Sequence, residues 1–291
     1  MVMTLKQLRY FEALARHGHF GRAAEAAAIS QPALSVQIRD LEADLGAALF
    51  ERGPRGVRLT ALGETFAPRA RDILRSVEEL GDLARAAQGG LAGRLRIGMI
   101  PTVAPYLLAP VMAAIAAAHP DLTPDIRETV TPTLLEELGE GRLDCAIVAL
   151  PIGEPSLTEM PLLKEDFVLV RPKADADLPV PTPEGLATMR LLLLEEGHCF
   201  RDQALAVCEM RARNVGLEGS SLATLVQMVG TGLGVTLLPE MALEETRSAP
   251  VCVARFPDPA PSRTLGLVWR RSSPLAEPLL TLSETIGRAV A

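Results

Sequence analysis

The residues best suited to chemistry lie between Leu193 and Cys208, in the run Leu-Leu-Glu-Glu-Gly-His-Cys-Phe-Arg-Asp-Gln-Ala-Leu-Ala-Val-Cys. Cys199 directly follows His198, stands within one helical turn of Arg201 and Asp202, and has Cys208 nine positions on. A glycine precedes this site and a predicted helix begins close to it, where free N–H groups and the helix dipole favour a negative charge. A thiolate attacks peroxide oxygen and becomes a sulfenic acid, which a second thiol can capture as a disulfide. Geometry restricts that capture. On one continuous helix, cysteines nine apart would be separated by ~13 Å along the axis, whereas a disulfide needs Cα atoms within about 7 Å. The helix between them must therefore unravel or shift. Taken alone, the pair equally fits two unrelated core cysteines, because cysteine is among the residues most often buried. Cys145 in Asp-Cys-Ala-Ile-Val and Cys252 in Val-Cys-Val are expected to be buried small hydrophobes.

Other chemistries lack their patterns. His17, His19, His119 and His198 have no metal-ligand spacing with acids or cysteines. Gly230-Thr231-Gly232-Leu233-Gly234 precedes a predicted strand instead of following one, so it turns a helix into a strand and is no dinucleotide fingerprint. No phosphate-binding loop or Gly-x-Ser-x-Gly elbow occurs. The expectation is a non-enzyme without cofactor or metal. With 291 residues, 48% of them apolar, the chain can build several cores. It has no apolar run of membrane-spanning length and no secretion-signal pattern at Met1, so no membrane association is expected. Four cysteines are too few for a disulfide scaffold and suit a reducing cytoplasm.

The elements that must carry this chemistry begin with a mildly basic head. Residues 1–60 hold eight Arg and Lys against six acids, a charge of +2, which leaves −9 on the remainder of a chain whose total is −7. Thr4 can cap a helix with an apolar face of Leu5, Leu8, Phe11, Leu14 and Ala15. A short helix follows over Gly21–Ala27. Ser30 then caps a third, with Pro32 in its first turn, Leu34, Ile38, Leu41 and Leu45 inward, and Gly46 ending it. The outward positions Gln31, Ala33, Ser35 and Arg39 are short or polar enough for a helix lying in the DNA major groove. Leu49–Arg52 and Val57–Thr60 predict a hairpin around Gly53-Pro54-Arg55-Gly56. Composition alone also allows a trihelical protein-binding module.

Thr60 can start a long helix reaching about Ala87. Leu62, Phe66, Arg69/Ala70, Ile73, Val77, Leu80, Ala84 and Ala87 recur at steps of four and three, which is the spacing of a dimer seam. Residues 89–93 predict a hinge. Beyond it the pattern alternates: strand Leu95–Ile100, helix Pro105–Ala118, strand Pro124–Glu128, helix Thr131–Leu138, strand Asp144–Val148. A second set follows, with strands Phe167–Val170, Leu191–Leu194, Val235–Leu238 and Leu265–Trp269, and helices Asp202–Arg211, Ser221–Gly230 and Leu275–Val290. This predicts an α/β chain whose second part is two linked lobes around a crevice, which is a common receiver of small ligands.

Phe11-Glu12-Ala13-Leu14-Ala15, Phe20, Ala23-Ala24, Ser30-Gln31-Pro32-Ala33-Leu34-Ser35, Ile38-Arg39, Leu41-Glu42, Leu45-Gly46, Leu49-Phe50-Glu51-Arg52 and Leu59-Thr60 together resemble the winged helix-turn-helix of LysR-type transcriptional regulators. The likeness implies double-stranded promoter DNA as a partner, with Gln31, Pro32, Ser35 and Arg39 at the major groove and Arg52 and Arg55 near the minor groove. It implies domains at 1–60 (winged helix-turn-helix), 61–88 (linker helix) and 94–291. The last is a periplasmic-binding-protein-like effector domain, with one lobe at about 94–162 and 268–291 and the other at about 163–267. Homodimers or homotetramers, and RNA polymerase as a partner, are implied too.

Leu194–Cys199 with Arg201–Ala204 and Cys208 also resembles the peroxide-sensing branch of that family. So do Ile100–Val103, Leu143–Cys145, Ser221–Leu225, and Gly266–Arg270 with Ser273–Leu275. This likeness implies hydrogen peroxide as signal, Cys199 as peroxidatic and Cys208 as resolving cysteine, and a pocket of Thr102, Thr131, His198, Asp202 and Arg270. A thiol reductant for reset and control of antioxidant genes are implied with it. The alternatives are a family member answering to a small metabolite between the lobes, with incidental cysteines, and a thiol peroxidase carrying a DNA-binding head.

Overall fold

In a computed structural model, residues 3–53, 56–86, 91–207 and 215–290 are described. The chain divides into two compact units, Met1–Ala84 and Arg85–Ala291. In the first, α1 (Leu5–His17) starts on a capping box in which the Thr4 and Gln7 side chains each accept the other's backbone N–H, and it ends at Gly18 with φ +58°. After α2 (Phe20–Ala26), α3 (Gln31–Leu45) begins at Ser30, whose hydroxyl accepts the Ala33 N–H, and stops at left-handed Gly46. Phe11, Leu14, Leu34, Ile38 and Leu41 are buried between the three helices. The wing is the antiparallel pair β1 (Phe50–Gly53) and β2 (Gly56–Leu59). The Glu42 carboxylate fastens the wing's start to α3 by accepting the Leu49 and Phe50 N–H groups at 2.8 and 3.0 Å.

Helix α4 (Ala61–Ala86) is long, as its period predicts, and Thr60 caps it by accepting the Gly63 N–H. Its apolar residues divide, however, into two stripes. Phe66, Ala67, Ala70 and Leu74 pack into the head's own core, whereas Leu62, Ile73, Leu80 and Leu83 stand exposed. The expected seam mixed the two, because in sequence they differ by only one position per turn. Ala87 and the first part of the expected hinge lie outside the described residues. Its last part is ordered, since Leu91 is buried and Gly93 already belongs to a strand.

The second unit opens with β3 (Gly93–Met99), α5 (Ala104–Ala118), β4 (Leu122–Glu128), α6 (Thr131–Gly139) and β5 (Cys145–Leu150), with β3 parallel to both β4 and β5. Strand β6 (Leu157–Pro172) is four times the length its sequence suggests, because Pro161 and the run Lys164-Glu165-Asp166 hide it. Then come α7 (Pro183–Thr188), β7 (Leu191–Leu194), α8 (Cys199–Val207), β8 (Val215–Gly219), α9 (Leu222–Gly230) and β9 (Thr236–Pro239). A 3-10 stretch (Glu240–Ser248), β10 (Val251–Arg255), β11 (Ser262–Arg270) and α10 (Ala276–Val290) complete the chain. Strands β6 and β11 pair antiparallel from Asp166–Ser262 to Leu157–Arg270, so they form the span joining two separately packed cores. Leu265 and Leu267 are in the first core, which therefore takes in more of β11 than the expected boundary at residue 268 allows.

Cys145 is fully buried on β5, and burial, reinforced by Asp144, keeps its thiol protonated. Cys252 departs from expectation. It is half-buried on the edge strand β10, with Sγ donating to the Pro172 carbonyl at 3.4 Å, because an edge strand is covered on fewer sides.

Gly63 supplies a sharp test of the head. Alanine in a helix ordinarily stabilises by about 1 kcal/mol relative to glycine. Here a Cβ would sit 2.2 Å from the Leu49 carbonyl oxygen, which is backbone and cannot give way. Gly63→Ala is expected to destabilise the head by about 1–3 kcal/mol, seen as a lower thermal midpoint with weakened DNA binding.

Candidate functional site

The site is assembled where α8 starts. Leu191–Leu194, all buried, form β7, and Gly197, at φ +93°, turns the chain so that Cys199 becomes the first residue of α8. Only glycine tolerates that backbone angle without strain. Gly197 lies against Val130, the residue before Thr131. Arg201 clamps the first turn: its Nη1 donates to the Leu194 carbonyl at 2.7 Å and pairs with Glu218 on β8 at 2.8 Å. Arg201 is thus a fastener and not a group serving the thiol. Phe200 is buried edge-on against Phe167 in the second core. Cys199 itself is half-buried and packs against the first core, although its helix belongs to the second. The thiol therefore lies at the junction of the lobes.

A buried polar cluster packs against the next residue, Phe200. Arg263 on β11 is fully buried, with Nε on the Glu165 carboxylate at 2.7 Å and its guanidinium 5.5 Å from the Phe200 ring centroid. Its Nη1 donates to the Thr102 hydroxyl at 2.9 Å and its Nη2 to the Thr102 carbonyl at 3.1 Å. Two further groups have buried oxygens with no hydrogen-bond partner among the described residues: the Thr131 hydroxyl and Gln203 Oε1. Gln203 is four residues beyond Cys199 on α8, on the same helix face. An unsatisfied buried polar atom costs about 1–3 kcal/mol. A small ligand offering both O–H donors and oxygen acceptors would satisfy them.

Of the expected pocket residues, Thr102 and Thr131 are therefore among these buried polar groups. His198, beside the thiol, is half-buried, and burial lowers its pKa from the usual 6.5 against an opposing pull from Glu195. Asp202 is exposed on α8. Arg270 is a correction. Its Nη1 donates to the Leu138 and Leu143 carbonyls at 2.6 and 3.1 Å, at the C-terminal end of α6, whereas Thr131 begins that helix. Because β11 runs antiparallel to β5, its end carries Arg270 to the far side of the sheet and its start carries Arg263 to the crevice. Arg263 and Gln203 are what sequence reasoning missed. The available signal was an arginine opening an apolar strand, with Glu165 as its mate. Cys208 lies outside the described residues, and no group of three or more potential metal ligands occurs among the described ones.

In the head, Gln31, Pro32 and Arg39 are exposed on α3 and Ser35 is half-exposed, with Arg39 Nε donating to the Ser35 carbonyl. They form one open face. Arg52 falls on β1, and Arg55 lies outside the described residues.

Residues 5–64 match the family model for bacterial regulatory helix-turn-helix proteins of the lysR family, and residues 88–291 match the LysR substrate binding domain. The chain belongs to the LysR family of bacterial transcriptional regulators. Its similarity extends to particular members. It is 43% identical to a probable hydrogen peroxide-inducible genes activator of Streptomyces viridosporus, over 99% of this chain and 94% of that protein. Among solved structures it resembles full-length OxyR from Pseudomonas aeruginosa carrying a cysteine-to-aspartate substitution, at 38% identity and TM-score 0.75, covering 98% of this chain and 95% of that one. It also resembles a hydrogen peroxide-bound cysteine-to-serine OxyR mutant from Corynebacterium glutamicum, at 37% identity and TM-score 0.68, covering 100% and 93%. No helix among the described residues is long and apolar enough to cross a membrane.

Two outcomes follow from this geometry. Thr131→Val removes an unsatisfied hydroxyl, so thermal stability should hold or rise. Peroxide oxidation of Cys199, followed by thiol mapping against time, should slow by about three- to tenfold, the worth of one hydrogen bond. His198 sets a pH trend. With its folded pKa below 6.5, the unfolded chain binds more protons in the window between the two values, so stability rises with pH there. Its contribution is complete above 6.5 and is lost as pH falls toward the lowered value. Denaturant melts across that range should show the loss in the wild type and flatten it in His198→Gln.

Proposed function

We propose that this protein is a cytoplasmic, peroxide-responsive transcription factor in which Cys199 is the peroxidatic thiol and Cys208 the resolving one. The observation that carries the reading is the half-buried Cys199 thiol between two cores, with Thr131 and Gln203 oxygens unsatisfied and Arg263 anchored nearby. Hydrogen peroxide supplies donors and acceptors to those groups. Arg263 and Thr102 stabilise the negative charge that grows on the leaving oxygen as sulfur attacks. Water leaves, Cys199 becomes a sulfenic acid, and Cys208 condenses with it. Helix α8 extends unbroken to Val207, eight residues and ~12 Å from Cys199, so closing the bond requires α8 to rearrange. The protein consumes peroxide stoichiometrically, and a thiol reductant resets it.

The similar proteins named for peroxide-inducible activation support this signal and control of antioxidant genes. The open face of α3 supports operator binding through Gln31, Pro32, Ser35 and Arg39, with Arg52 and Arg55 of the wing near the minor groove. The exposed stripe Leu62, Ile73, Leu80 and Leu83 on α4 supports homodimers, with tetramers as their pairing. RNA polymerase is the partner through which bound protein acts. The metabolite reading is less favoured. The Tyr106 hydroxyl of α5, packed on the second core, donates to Glu245 at 3.0 Å, so a tie joins the lobes across the crevice.

Micromolar peroxide is expected to produce a Cys199–Cys208 disulfide in the wild type, mapped by mass spectrometry, and a changed DNA footprint. Cys199→Ser should show neither. A footprint indifferent to oxidation, or disulfide formation without Cys199, would sink the reading.

A further inference from the structure

The polar cluster that braces the site also holds a second sulfur. Met241 is the second residue of the 3-10 stretch after β9, and its backbone N–H donates to Glu165 Oε2 at 3.2 Å. Its thioether Sδ lies 3.9 Å from Arg263 Nη2, the same guanidinium nitrogen that donates to the Thr102 carbonyl. Met241 is half-buried and, like Cys199, packs against the first core. A neutral thioether is a weak acceptor for a buried cation, and 3.9 Å is long beside the roughly 2.7–2.9 Å of a charge-assisted N–H···O bond. An oxygen carried on that sulfur would give Arg263 a far better partner.

We propose that Met241 is a second peroxide-reactive site, oxidised to methionine sulfoxide when peroxide outlasts the reaction at Cys199. This rests on the peroxide-sensing reading, because it uses the same bound oxidant and the same arginine. In the step, a sulfur lone pair attacks one oxygen of hydrogen peroxide and the O–O bond breaks. The S–O bond forms, and the departing hydroxide takes the remaining peroxide proton and leaves as water. Sulfur is oxidised by two electrons and peroxide is reduced by two. Arg263 Nη2 donates toward the oxygens during transfer and afterwards to the sulfoxide. The Thr102 carbonyl then has to share this donor with a stronger acceptor. Reduction of the disulfide by thiols leaves the sulfoxide in place, since only methionine sulfoxide reductases reverse it. The sulfoxide therefore records exposure that the cysteine pair no longer shows.

The test uses the full-length wild type and Cys199→Ser, each exposed to graded hydrogen peroxide, digested and quantified by peptide mass spectrometry. Met112 and Met160 are internal standards, being half-buried residues packed on the same core but without a contact to Arg263 in the hydrogen-bond network. Met241 is expected to gain one oxygen severalfold faster than either, in both proteins, and to keep it after dithiothreitol. Met241→Leu, which preserves volume, should form the Cys199–Cys208 bond normally and return fully to the reduced DNA footprint after high-dose treatment. Wild type should return incompletely. Oxidation of Met241 no faster than Met112 and Met160 overturns the proposal. The cysteine peptides in the same digest report separately on the sensing reading, so either can fail while the other stands.

Discussion

The first turn of α8 packs, through Phe200, on one buried ion pair. Arg263 and Glu165 lie on the paired strands β11 and β6, the two that pass between the cores, and neither carboxylate nor guanidinium has appreciable exposure. Taking both charges out of water costs several kcal/mol per ion, and mutual attraction offsets this only when the remaining donors and acceptors are also satisfied. Here they are: Glu165 accepts from Arg263 and from the Met241 N–H, while Arg263 reaches Thr102 through two atoms. A well-packed apolar pair would hold these strands together as well. The charged pair provides in addition a fixed cation against the Phe200 ring, next in the chain to Cys199, and an oriented cation of this kind costs no reorganisation at the moment of reaction.

That brace explains how a helix of the second lobe can present its first residue to the first. Phe200 lies between the Arg263 guanidinium and Phe167, and so couples the polar cluster to the second core. Arg201 ties the same turn to β7 and β8. Gly197 then brings the chain against Val130, at the start of α6. The first turn of α8 is held on three sides by different kinds of interaction.

Much of this was legible in the chain. The caps at Thr4, Ser30 and Thr60, the terminator Gly46, and the alternation of strand and helix from β3 to β5 all follow from local chemistry and period. Cys199 and Thr131 could be named from the likeness to a family. What failed to show was long-range pairing. The inner half of β6 looked too charged to be a strand, because Glu165 becomes tolerable only opposite Arg263, 98 residues away. Without that register, the two arginines of β11 could not be assigned to opposite ends of the sheet, and Arg270 was taken for the one at the site. Gln203 was not singled out, because only its place on α8, one turn beyond Cys199, distinguishes it.

The same anchoring sets the energetics of the proposed switch. Reaching Cys208 from Cys199 means abandoning part of a helix that buries Phe200 and Ala204. Exposing one large apolar side chain costs about 1.5–3 kcal/mol, and loosening the Arg201 clamp adds to it. For a two-electron couple about 30 mV corresponds to 1.4 kcal/mol. A few kcal/mol of conformational cost therefore raises the disulfide's reduction potential by several tens of millivolts above that of an unstrained pair. In the proposed switch, such a bond forms when peroxide drives it and is reduced by a thiol more readily than an unstrained one. In that proposal the tight packing of α8 favours the dithiol form, and so lowers the driving force that a thiol reductant must supply to reset the sensor.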